Sequence, residues 1–165
     1  MARTVNIPRN VDVDENLAIV VIPKADLPDP SAPSAAALNG ATDVTYEHTT
    51  DGLNATSSQA TVTDPRLSLR DVPEAPGTIS HSLEVTYFYG DDELVLDTLL
   101  VEGDEVFYVI RDSVRVEEDF AADQKVDVYS AVVGEPRKNR ATGGKQTKTT
   151  TLFVQRKYTD VLVAA

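Results

Sequence analysis

From Ile79 to Tyr89 the chain alternates without interruption. Ile79, His81, Leu83, Val85, Tyr87 and Tyr89 fall on one face, and Ser80, Ser82, Glu84, Thr86 and Phe88 on the other. A strand this long with one mixed-polar face needs partners on both edges and a core beneath one side, which is the situation of an antiparallel sheet. Other segments supply those partners. Leu17 to Ile22 is a short apolar run ended by Pro23, and Val44, Tyr46 and His48 alternate over 43–48. Glu105 to Arg111, Gln124 to Val133 and the β-branched run Thr147 to Asp160 read as three more strands. Between them Gly90-Asp-Asp-Glu opens a helix over about 91–102. Asp91 or Asp92 is its N-cap, Leu96, Leu99 and Leu100 form its apolar stripe, and Gly103 is its stop. Ser34 caps a single further turn over Ala35 to Leu38, closed by a left-handed Asn39-Gly40. The expected fold is mostly β: a sandwich or barrel of six to eight antiparallel strands with one flanking helix, forming one domain over 1–165.

Two stretches do not fit that pattern. Residues 1–16 are polar and weakly patterned and predict an extended N-terminal arm. Residues 49–66 are rich in Thr, Ser, Asn, Asp and Gly and predict a long inter-strand loop, after which Leu67 and Leu69 bring the chain back to the core. The turn-rich Asp71 to Gly77 leads on to the long strand. Loops this long inside a compact domain are either functional or disordered. This one has no residues able to do chemistry, so contact is its expected work.

Charge and cysteine usage exclude several function classes. The formal charge is −12, and residues 134–165 carry seven Lys+Arg against two Asp+Glu, so a basic end is attached to a strongly acidic body. Such a body repels phosphate and argues against a DNA-binding domain, whereas opposite charges at the two ends suit head-to-tail association. The absence of cysteine excludes disulfides and thiolate metal sites. No apolar run reaches membrane-spanning length, and Met1 to Asn10 lacks the apolar core of a secretory signal.

The catalytic inventory is empty. His48 and His81 are the only imidazoles and both sit in strand alternation, where packing or solvation explains them. No Gly-x-Ser-x-Gly or phosphate-binding glycine loop occurs. Asp12-Val-Asp-Glu-Asn16 begins like a calcium loop but has Leu17 where glycine is required. The carboxylates from Asp91 to Glu105 read as a charged helix face, with no tryptophan platform for a sugar. Asn54-Ala-Thr56 matches a glycosylation acceptor by chance. No cofactor and no metal are expected.

Taken in order, several segments resemble one family: Ala37-Leu-Asn-Gly-Ala-Thr-Asp-Val44, Thr50-Asp-Gly-Leu53, Gln59-Ala-Thr-Val-Thr-Asp64 up to Arg66-Leu67, Ala75-Pro-Gly-Thr78, Leu100-Val-Glu-Gly103, Tyr108-Val-Ile-Arg111, and Lys125-Val-Asp-Val-Tyr129 with Gly134-Glu-Pro136. From about Pro33 to the C-terminus the chain resembles the major tail tube proteins of long-tailed, non-contractile bacteriophages. The resemblance implies a structural subunit that stacks as homo-hexameric rings into a hollow tube. That tube would hold a tape-measure protein, meet tail terminator and distal tail proteins at its ends, and pass DNA without specific binding. It would be part of the virion tail, assembled in the host cytoplasm, with no membrane and no catalysis. On this basis Asn54, Ala55, Thr56, Ser57, Ser58, Gln59 and Thr61, with the N-terminal arm, are the expected ring-to-ring contacts, and Glu84 and Asp127 the expected lumen-facing acids. A monomeric immunoglobulin-like or adhesin-like binding module is the alternative that shares the β-rich, catalytically empty sequence.

Overall fold

A computed structural model describes residues 15–66, 70–140 and 144–165. The N-terminal arm up to Asp14 and the residues Leu67 and Leu69 lie outside that set. The strands are β1 (Leu17–Pro23), β2 (Thr42–Asp43), β3 (His48–Thr63), β4 (Glu74–Phe88), β5 (Glu105–Asp112), β6 (Lys125–Val133), β7 (Arg137–Asn139) and β8 (Thr147–Leu162). Of these β1, β4, β5, β6 and β8 are expected strands with shifted ends, and β2, β3 and β7 are not. They form one eight-stranded sheet in the order β2-β1-β5-β6-β8-β4-β3, with β7 paired to β8, and every strand pair is antiparallel.

The middle of this sheet is buried on both sides. On one face Ile19, Val21, Tyr108 and Tyr129 pack with Leu83, Val85, Tyr87 and Leu152 from β4 and β8, so the sheet bends back over itself as in a sandwich. On the other face Val20, Val109 and Val128 lie beneath Leu27, Leu38, Phe120 and Val163. This double burial explains why β1 and β5 read as near-continuous apolar runs while β4 alternates.

The helical expectations are cut back. α1 (Ala35–Asn39) has its predicted cap, with Ala37 N donating to Ser34 Oγ at 3.2 Å. Gly40 closes it in a right-handed conformation (φ −86°), because its N–H reaches back to Ala36 O and no left-handed turn is needed. The helix expected over 91–102 is one turn, α2 (Leu96–Leu99). Asp91 Oδ1 is engaged in a local turn, accepting from Glu93 N at 3.1 Å. The helix start is capped instead by Glu47, whose carboxylate accepts from Val95 N at 3.0 Å and Leu96 N at 2.7 Å. Gly103, at φ +88°, is left-handed after the helix as expected.

The expected short strand over 43–48 is a 3-10 turn, Thr45–Glu47. Its cause is local: Asp43 Oδ1 accepts from both Thr45 N (2.9 Å) and Thr45 Oγ1 (2.7 Å), pulling the backbone out of extension. The turn buries His48 against Tyr108. Val44 O can only accept, so His48 Nδ1 carries the proton at 2.8 Å and Nε2 accepts from the Tyr108 hydroxyl. Burial holds this imidazole below the ordinary histidine value of 6.5. The unfolded chain therefore takes up the proton first. The stability contributed by neutral His48 is complete above about pH 6.5 and is lost as the pH falls from there through the lower folded value. Thermal melts between pH 7 and 5 should show the wild type losing Tm more steeply than His48→Phe, which has no group to titrate.

Candidate assembly surface

The polar tract is not a loop. Residues 48–63 form β3, and its register with β4 runs from His48↔Tyr87 through Leu53↔Val85 to Thr63↔Glu74. β8 supports β4 only from Leu83 to Phe88, so beyond Leu83 the pair β3–β4 is a two-stranded arm. Eight residues of strand, 56–63, make it about 25 Å long. The tract misleads because both faces of the arm meet solvent: there is no core side, hence no alternation to mark it as strand. The expected turn at 71–77 likewise gives way to strand from Glu74, and the mismatch between Gln59 and Thr61 opposite Pro76 absorbs the missing proline donor.

Of the expected contact residues, Thr56, Ser57, Ser58, Gln59 and Thr61 lie on this arm and Asn54 and Ala55 at its base, and all are exposed. Side chains tie the two strands together: Ser57 Oγ lies 2.7 Å from His81 Nδ1, and Ser58 Oγ 2.8 Å from Ser80 Oγ. Val62 and Ile79 expose half of their surface (55% and 52%). The arm carries no charged side chain from Leu53 to Val62 or from Ala75 to Leu83, in a protein that is 25% charged. An uncharged two-stranded ribbon with an unpaired outer edge is marginal by itself and is a template for another chain. The β4 half of this surface escapes sequence reasoning, although the paired absence of charge marks both strands.

Glu84 and Asp127 are not brought together. Glu84 pairs across from Thr151 and Asn54 at the base of the arm, on the face opposite Leu83 and Val85. Asp127 pairs with Ile110, on the same face as Tyr129 and Ala131, so the two acids lie on opposite faces of the sheet. Both have cationic partners. Arg137 Nη2 lies 3.9 Å from Glu84, and Lys157 Nζ lies 3.2 Å from Asp127, which also accepts from Asp160 N at 2.9 Å. Burial and the neighbouring Asp127 raise the carboxyl of Asp112 above its ordinary value.

A second constructed region escapes sequence reasoning. Arg111 is fully buried on β5 and donates to Arg115 O (2.8 Å), Glu118 O (2.7 Å) and Gln124 Oε1 (3.2 Å), with its guanidinium 4.4 Å from the Phe120 ring centre. Asn39 completes the fastening: its amide donates to Phe120 O at 2.9 Å and accepts from Phe120 N at 2.8 Å. The acidic turn at 117–119 is thus held rigidly against the end of α1. Among the described residues no group of His, Asp and Glu is arranged to hold a metal ion, and no helix is long and apolar enough to cross a membrane.

Comparison with known proteins bears on the family and the fold. The model of the phage tail tube protein family matches residues 4–165. No curated protein sequence matches the chain. Among solved structures, the fold is similar to a chain of the anti-feeding prophage baseplate, determined by cryo-electron microscopy, with a TM-score of 0.58 at 10% identity over 93% of this chain and 96% of that one. It is also similar to the SPP1 tail tube, with a TM-score of 0.59 at 16% identity over 90% of this chain and 78% of that one. At these identities the structural likeness concerns the fold alone, and the family model, which spans nearly the whole chain, carries the assignment: the chain belongs to the phage tail tube protein family.

Proposed function

We propose that this subunit closes into hexameric rings that stack through the β3–β4 arm into a hollow tube. The observation that carries the proposal is the arm itself: a polar, uncharged ribbon, solvated on both faces, with an open edge and apolar side chains at Val62 and Ile79. Its residues from Asn54 to Thr61 make the ring-to-ring contact, joined by the N-terminal arm. The edge is closed when the ribbon meets the next ring, which removes the exposed backbone donors and acceptors that a free subunit presents. Negative-stain electron microscopy of the concentrated protein tests this. Tubes with six-fold end views are expected, and dispersed monomers at every concentration would refute it.

Within the tube the lumen holds a tape-measure protein during assembly, and terminator and distal tail proteins close the two ends. The tube belongs to the virion tail, is built in the host cytoplasm, and conducts DNA at infection. An acidic wall repels phosphate and so lets the genome slide. Since Glu84 and Asp127 face opposite ways, only one of them lines the lumen. In phage carrying Glu84→Lys or Asp127→Lys, the variant at the lumen-facing position slows DNA ejection and leaves tail length unchanged; unaltered ejection in both would remove both acids from the wall.

A further inference from the structure

The acidic turn held by Arg111 and Asn39 forms one wall of a groove of about 350 Å³. Its floor is apolar, from Val20, Leu38 and Phe120, and its rim is acidic, from Glu117, Glu118 and Asp119. Asp43 adds a fourth carboxylate to the lining, which also includes Tyr46, 76% exposed. No lysine or arginine lines it among the described residues. A site of this character fits an extended segment with apolar side chains between cations.

The chain contains such a segment, and it enters the domain at the groove. Residues 1–10 carry Arg3 and Arg9 and no carboxylate, and Arg3, Val5, Ile7 and Arg9 share one face of an extended backbone. Val116, which lines the groove, donates its N–H to Glu15 O at 2.9 Å, and Glu15 itself turns the backbone at φ +63°. Ile7 is eight residues from that anchor, a reach of up to about 28 Å. Tethering so close to the groove raises the local concentration of the segment to the millimolar range. Asp12 and Asp14 have the rim's own sign, so the two arginines are the anchors.

We propose that in the free subunit this groove seats the chain's own N-terminal segment, with Val5 and Ile7 on the apolar floor and Arg3 and Arg9 against the acidic rim. The protein has no cysteine, so Asn6→Cys gives a unique site for a nitroxide spin label. In the full chain, kept dilute, the amide signals of residues 116–120 should be lost to paramagnetic broadening. They should return when Arg3→Glu and Arg9→Glu are added, and equally with Glu117→Lys and Glu118→Lys. Broadening that persists unchanged in the charge-reversed chains would reflect the tether alone and would overturn the proposal, as would signals that never broaden. Mixing isotope-labelled, untagged chain with unlabelled, tagged chain must leave the signals intact. Loss there would assign the groove to the arm of a second copy and refute the intramolecular seat. The measurement is made on the free subunit, so a failure of tube formation leaves its outcome unaffected.

Discussion

Replacing residues 57–81 with an Asn-Gly turn should abolish tube formation and leave the fold intact. The cut falls at the pair Thr56↔Ser82, so a two-residue turn of the type favoured by hairpins can join the shortened strands without changing their register. Cutting both strands matters: removing only 54–63 would leave β4 with an unpaired edge and an unmatched connection. Of the described residues removed, nearly all are exposed, and the ion pair between Arg66 and Asp64 is a solvated one of little worth. The core residues Leu83, Val85 and Tyr87 keep their β8 partners. Tm should therefore stay within about 3 °C of the wild type, since surface changes of this kind are nearly neutral. Electron microscopy and sedimentation of the concentrated variant should show no tubes. Normal tubes from a folded variant would dismiss the arm as the stacking element.

The second large effect is expected from Arg111→Met. Methionine has a comparable reach but donates nothing, so Glu118 O loses the guanidinium, Arg115 O and Gln124 Oε1 are left with only the backbone donors Glu118 N and Ala121 N, and Phe120 loses the stacked cation. Hydrogen bonds from a charged donor contribute about 1.5–3 kcal/mol each, but carbonyls at the surface recover part of that from water. A net loss of about 3 kcal/mol is expected, or a fall of about 6–12 °C in Tm for a chain of this size. Hydrogen exchange should localise the damage to residues 113–124 before the rest of the sheet opens. Arg111→Lys should recover only part of the loss, because a single ammonium cannot span three acceptors as the guanidinium fork does. A variant with unchanged Tm and exchange would show that the acidic turn holds itself.

The sheet was largely legible in the sequence wherever a strand has a core on at least one side. β1, β5, β6 and the inner half of β4 announce themselves through apolar runs or alternation. β3 does not, since its exposed length satisfies no pattern of burial, and Thr and Ser serve turns as readily as strands. The family was legible, but the strand form of the tract at 49–66 was not. Glu47, Arg111 and Asn39 were invisible for a different reason: each acts on residues that the fold brings near, such as Val95 for Glu47 or Phe120 for Asn39, and nothing in their own neighbourhood signals the bond. A cap supplied from 48 residues away leaves no local capping motif.

The arm's length has a consequence for when subunits join. At physiological ionic strength the field of the acidic body fades within a Debye length of about 8 Å. A ribbon of about 25 Å carries its tip well outside that shell. Two bodies that repel one another on approach can still touch along the flanks of the arm, where neither strand carries a charge from Thr56 to Val62 or from Ala75 to Ser82, whereas the connection beyond them carries Asp64, Arg66, Arg70, Asp71 and Glu74. Repulsion therefore sets the frequency of encounters, and the uncharged joint sets their lifetime. Assembly built this way is slow to begin and, once begun, is held by contacts on the uncharged flanks that salt screens little.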